Sequence, residues 1–205
     1  MKINFRKFIL IAFMISGFTA LVYEIVWARP LQLIFGSTIY AVSTILTTFF
    51  VGFTLGSYAF RNLADRIKNP EKLFAFLELG IGLYGLIILG IFKITMSIYL
   101  ALEIPVLQFT ILFLIIIIPA TLFGAAWPVV NKIYININDL GKDAGKLYSF
   151  NSFGAFFGSI AAGFILLPLL GITKTGILAA SLNILIALAI FFYSGKKRGE
   201  IKNEL

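Results

Sequence analysis

Cysteine and histidine are absent from this sequence of 205 residues. Their absence excludes disulfides, thiolate nucleophiles, imidazole bases and the usual zinc or haem ligands. Charge is also scarce: Asp, Glu, Lys and Arg make up 13 % of the chain, and only 9 residues are acidic. The sequence presents no paired-carboxylate site and no nucleophile beside a base. The run Gly80-Ile81-Gly82-Leu83-Tyr84-Gly85 satisfies the G-x-G-x-x-G pattern. It lies inside an apolar segment, not between a strand and a helix, and so reads as close helix packing instead of a phosphate cradle. These absences predict no enzymatic activity of the chain's own, no cofactor and no metal.

What is present is apolar surface: 60 % of the residues are hydrophobic and 22 are Phe. Few soluble domains could bury that much, so the composition predicts an all-α, polytopic membrane protein. Six spans are expected, at about 8–30, 38–60, 73–92, 106–127, 144–167 and 175–193, each near the ~20 residues that cross a ~30 Å hydrocarbon core. The first follows Lys2, Arg6 and Lys7 without a small-residue cleavage site, and is read as an uncleaved helix. Lys93 to Glu103 is expected to lie along the outer interface as a short amphipathic helix, and 196–205 as a basic tail.

The net charge of +8 is distributed between the spans. With the N-terminus inside, 14 of the 17 Lys and Arg residues fall on the cytoplasmic side, leaving Arg29, Lys93 and Lys174 outside. This positive-inside bias predicts a multi-pass inner-membrane protein with both termini cytoplasmic. The basic clusters reflect topology, and no nucleic-acid partner is expected.

Within the spans, Ser16-Gly17-Phe18-Thr19-Ala20-Leu21-Val22-Tyr23-Glu24-Ile25-Val26-Trp27-Ala28-Arg29 places a carboxylate and a guanidinium among apolar neighbours. A charge near a bilayer centre costs about 2.5–3.5 kcal/mol on insertion scales, so Glu24 is expected to face protein or a cavity, with ligand binding and helix packing both open. Arg29, beside Pro30, either contributes to a site or snorkels to the interface. Glu78 interrupts the third span. Tyr23, Trp27, Asn151 and Asn183 are candidate aromatic or amide contacts for a cationic solute, although a membrane amide often only bonds a neighbouring helix. By depth, Glu24 and Glu78 fall too far apart to grip one small amine together.

Gly52-Phe53-Thr54-Leu55-Gly56-Ser57 returns as Gly154-Ala155-Phe156-Phe157-Gly158-Ser159, half a chain later. Three spans separate the two copies, as an inverted 3+3 repeat requires; small-xxx-small packing alone is the other reading. The Leu63-Ala64-Asp65-Arg66 turn resembles the signature loop of major facilitator transporters, which implies a gating pair. There Asp65 would sit near the N-terminus of the fifth span and Arg66 would reach a carboxylate such as Glu78. Arg61 and Lys68 stand where that loop has glycines, and plain interfacial anchoring is the alternative.

Residues 16–29, Phe-Gly-Ser-Thr-Ile-Tyr-Ala-Val-Ser-Thr at 35–44, Leu-Gly-Ser at 55–57, Leu-Ala-Asp-Arg at 63–66, Leu-Tyr-Ser-Phe-Asn-Ser-Phe-Gly-Ala at 147–155 and Gly-Phe-Ile-Leu-Leu-Pro-Leu-Leu-Gly at 163–171 together resemble the membrane domain of the spermidine-synthase-like, or fused major facilitator/spermidine synthase, proteins. In that family the domain precedes a soluble aminopropyltransferase-like Rossmann domain. Here the sequence ends soon after Lys196-Lys197-Arg198, so the resemblance is not expected to bring polyamine synthesis with it. Two functions follow as expectations, with a purely structural helix bundle in a larger assembly behind them. The first is a half-size carrier of a small, polyamine-like cation acting as a homodimer in the lipid bilayer; the second is a non-catalytic anchor for a separate soluble Rossmann-type enzyme.

Overall fold

The computed structural model describes residues 5–100 and 104–202. Among them there is no strand. The elements are α1 (Phe5–Phe35), α2 (Thr38–Arg66), α3 (Pro70–Leu100), α4 (Pro105–Tyr134), a short 3-10 turn (Ile137–Asp139), α5 (Leu140–Ile160), a π-helical segment (Ala161–Leu166) and α6 (Leu167–Lys202).

Five helical stretches among the described residues are long and apolar enough to cross a membrane, where six were expected. The difference lies in the last, Ile137–Ser194, which is 58 residues long and has no loop between the two expected spans. Straight, it would extend about 87 Å, roughly three times the hydrocarbon core. It is broken at Gly171, whose φ of 72° and ψ of 177° are not helical. On the two sides of that break the contacts run in opposite senses. Asn151, Gly154 and Gly158 meet Phe13, Met14 and Phe18 of α1 in parallel order. Asn183 meets Thr19, and Tyr193 stacks on Phe5 and Phe8, in antiparallel order. The chain therefore turns back at Gly171, in a backbone region that a side chain would strain.

Two other expected boundaries move. Pro30 does not end the first helix, which runs on to Phe35 with Pro30 buried inside it; such a proline is tolerated in a membrane helix where neighbouring helices cover the freed backbone groups. The stretch from Lys93 is not a separate interfacial helix, because α3 continues to Leu100, and 101–103 lie outside the described residues. The expected tail is helical as far as Lys202.

Three pairings dominate the packing: α1 with α5, α2 with α4, and α3 with α6. Glycine makes each possible. A methyl group at Gly154 or Gly158 would overlap the Met14 or Phe18 carbonyl of α1, and one at Gly56 the Thr121 carbonyl of α4. Gly82 of α3 gives the same access to Ala180 and Ile184 of α6. Lipid would gain nothing by releasing these helices' apolar side chains, so close backbone contact supplies much of the cohesion. Phe50, Phe164, Leu169 and Phe192 project outward, the arrangement of a belt facing acyl chains.

Overpacking one of these seams is expected to cost about 1–3 kcal/mol. In detergent, Gly56→Leu and Gly158→Leu should each lower the thermal unfolding midpoint, whereas Gly90→Ala, whose added methyl meets nothing within 4 Å, should not. Equal midpoints for all three would refute the glycine seams.

Candidate functional site

The bundle has two ends. One carries Phe5, the turn after Arg66, the 3-10 turn and Tyr193, and most of the basic residues; we call it the basic end. The other carries Gly36, Lys93 and Gly171, and we call it the far end.

Inside the bundle, nearer the basic end, α1, α3 and α6 bring four polar side chains together. Glu78, Asn183 and Thr19 are fully buried and Ser16 nearly so. The Asn183 Nδ2 group donates to Glu78 Oε2 at 2.7 Å and to Thr19 Oγ1 at 3.0 Å. Thr19 Oγ1 in turn donates to the Ser16 carbonyl at 2.9 Å, and the Ser16 hydroxyl lies beside the Glu78 carboxyl. Gly82 lets α6 come close enough for this, since any side chain there would collide with Ala180, Asn183 and Ile184. One level toward the far end, Tyr23 presses its hydroxyl against Gly85 and stacks on Trp27 with ring centroids 4.8 Å apart. Gly82 and Gly85 thus serve helix packing. Gly80 meets only the tip of Leu122.

Of the seven residues singled out for solute contact, Tyr23, Trp27, Glu78 and Asn183 have no exposed surface in this conformation. Asn151 is half-buried, and its amide donates to the Phe13 carbonyl at 2.9 Å, an interhelix bond. Glu24 is half-buried, and Arg29 is exposed. The cluster lies at the level of Thr19, so Glu24 is only about 7–8 Å further along the helix axis, closer in depth than the sequence suggested. It points elsewhere, however, because five residues turn a helix through roughly 140° relative to Thr19. No hydrogen bond or ion pair joins Glu24 to another described residue. Among the described residues no cluster of acidic side chains is arranged to hold a metal ion.

The expected contact between Arg66 and Glu78 is not formed: Asp65 and Arg66 are exposed, and the partner of Glu78 is Asn183. The ion pair at the start of α5 is made instead by Arg6 and Asp143. Arg6 Nη2 also donates to the Tyr134 carbonyl at 2.8 Å, and the guanidinium lies 4.6 Å from the Tyr134 ring centre. The Asn136 backbone N–H donates to Asp143 Oδ2 at 3.0 Å. One carboxylate thus ties the first helix to the turn between α4 and α5. Sequence reading had assigned Arg6 to topology alone; the one available signal was an acid standing just ahead of the fifth apolar run.

With this geometry established, comparison with known proteins adds one relation. Over 178 residues, or 87 % of this chain, the sequence is 27 % identical to a polyamine aminopropyltransferase of Leptospira interrogans serogroup Icterohaemorrhagiae. The matched part is 34 % of that protein, so the chain spans about a third of the length of the curated relative it matches. No family model matches the chain. No solved structure matches it either. The relation is a distant likeness to a protein named for polyamine aminopropyl transfer. It also corrects the expectation that the chain has no enzymatic role, because the relative is named for an enzymatic activity.

The basic-end tie makes a pH-dependent prediction. The Asn136 N–H, and then the Arg6 guanidinium, hold the Asp143 carboxyl below the usual carboxylate range. With the folded value depressed, the ionised form stabilises the fold above the ordinary value of about 3.9, and the contribution is lost as pH falls through the lower, folded value. Asp143→Asn should therefore lower the thermal midpoint near neutrality, and its difference from wild type should shrink in acid. A difference that stays constant across that range would exclude the ionised tie.

Proposed function

We propose that this chain is a six-crossing, half-size membrane carrier for a small polyamine-like cation, working as a pair of copies in the inner membrane with both termini cytoplasmic. The observation that carries the reading is Glu24, a half-buried acid on an apolar helix with no bonding partner among the described residues. An acid so placed is costly unless it meets a cation or a wet cavity. The distant relation to a polyamine enzyme supports the choice of solute class.

Six crossings follow if the two arms either side of Gly171 each traverse the bilayer. The pairing scheme supports an inverted repeat in which α1 answers to α4, α2 to α5 and α3 to the arm after Gly171. Under that exchange the α1–α5 pair becomes α4–α2, and the third pair becomes itself. Gly52 and Gly56 pack on α4 as Gly154 and Gly158 pack on α1. Six helices of this kind make half of a two-fold carrier, which is the argument for a second copy.

A second reading is favoured by the surface of the basic end. Ile137 and Leu140 are exposed beside the exposed Lys142 and Lys146, an apolar and cationic face suited to a soluble Rossmann-type partner or to anionic lipid.

In proteoliposomes the protein should take up radiolabelled spermidine, and Glu24→Gln should cut the rate by about tenfold, the effect of losing one charge-assisted contact. Size-exclusion chromatography of the variant checks that it still folds. An unchanged rate in well-folded Glu24→Gln would remove Glu24 from the mechanism.

A further inference from the structure

Among the described residues, buried polar atoms without a hydrogen-bond partner are Glu78 Oε1, Asn183 Oδ1, the Tyr23 hydroxyl, Trp27 Nε1 and Thr175 Oγ1. All belong to α1, α3 and α6, and they lie at successive levels of the bundle. Thr19, Tyr23 and Trp27 rise along α1 in steps of about 6 Å, and Thr175 lies about 12 Å from Asn183 along α6 in the same direction. Beyond them, Pro30, Leu89, Phe92, Lys93 and Thr173 line an open crevice of about 370 Å³ at the far end. In depth, these unpaired polar atoms occupy levels between a surface crevice and a buried carboxyl.

Thr175 shows how one of them is left unpaired. Thr44, Thr48, Thr54, Thr110 and Thr121 each donate to the carbonyl four residues back. For Thr175 that residue is Gly171, where the backbone leaves the helix. Its hydroxyl is thus left without the usual acceptor. Buried polar atoms of this kind are ordinarily satisfied by internal water.

The buried carboxyl has no counter-cation among the described residues, whose ion pair is Arg6 with Asp143. From α1 it meets Ser16 and, a level away, the phenol of Tyr23; from α6 it meets Asn183, which also bonds Thr19. The titratable residues of α4 are Lys132 and Tyr134, both at its basic end. On α3 itself Glu71 and Lys72 lie at the basic end, Lys93 at the far end, and Tyr84 donates to the Ile115 carbonyl. Asn183 turns its donor to the carboxyl and its oxygen away. Among the described residues no group of acidic side chains could hold a metal ion there, whereas a proton needs only Oε1.

We propose that Glu78 is a proton-binding site within the single bundle, loaded from the far end through waters held by Thr175, Trp27 and Tyr23. A proton from water in the crevice passes along that file. An O–H bond forms at Oε1, the carboxylate becomes the neutral acid, and hydroxide is left to the bulk. The inference rests on the membrane-spanning reading above but not on the identity of the solute.

Infrared difference spectra of the protein in lipid, taken across an alkaline-to-acid step, test it. A carboxylic C=O band should appear in wild type and in Glu24→Gln, vanish in Glu78→Gln, and persist, shifted, in Glu78→Asp. After an acid jump on the far side of oriented vesicles, Tyr23→Phe and Thr175→Val should delay the band by at least about tenfold, a barrier of one hydrogen bond. The midpoint should be the same in sodium and in choline chloride. A band retained in full by Glu78→Gln, undelayed by the two path variants, or displaced by sodium would overturn the proposal. Spermidine flux plays no part in this readout, so a protein that carried no polyamine would still show the band.

Discussion

Lipid offers two apolar helices no advantage in touching, since an acyl chain solvates leucine as well as another leucine does. What holds this bundle together is therefore backbone proximity, obtained wherever a side chain is missing. Gly17, Gly154 and Gly158 bring α1 against α5; Gly52, Gly56 and Gly124 bring α2 against α4; Gly82 and Gly176 bring α3 against α6. The polar bonds depend on that proximity. Asn183 reaches both Glu78 and Thr19 only because Gly82 brings its helix in, and Ser57 reaches the Gly124 carbonyl at 2.9 Å through the same kind of contact.

The apolar runs were legible in the sequence because hydropathy over about 20 residues is a strong signal. Their ends were not. Pro30 looks like a terminus when read locally, yet the packed bundle supports the helix beyond it. Gly171 falls between the fifth and sixth expected spans, so the reversal was legible there, although its positive φ was not. Glu78 and Asn183 were each recognisable as polar residues in apolar segments. Their pairing was not, because 105 residues separate them and spacing carries no information at that range. The Arg6–Asp143 tie was missed for the same reason, being 137 residues apart. The Asp65–Arg66 turn misled because a short charged loop satisfies a motif without having its surroundings.

The likeness to a polyamine aminopropyltransferase and the geometry of the bundle bear on different questions. The first places a domain of this kind within a longer enzyme; the second shows a compact set of helices with its polar chemistry sealed inside.

The parallel union of α1 and α5 has a consequence for biogenesis. Asn151 bonds the backbone of a residue 138 positions earlier, and a nascent chain emerges from its N-terminus first. The groove along Met14 and Phe18 is thus synthesised long before the glycine ridge that fills it. During translation α1 must remain in the bilayer, or against the insertion machinery, with that groove open until the hairpin of α5 and α6 emerges and closes it. Assembly of these helices is accordingly post-insertional, governed by the arrival of α5.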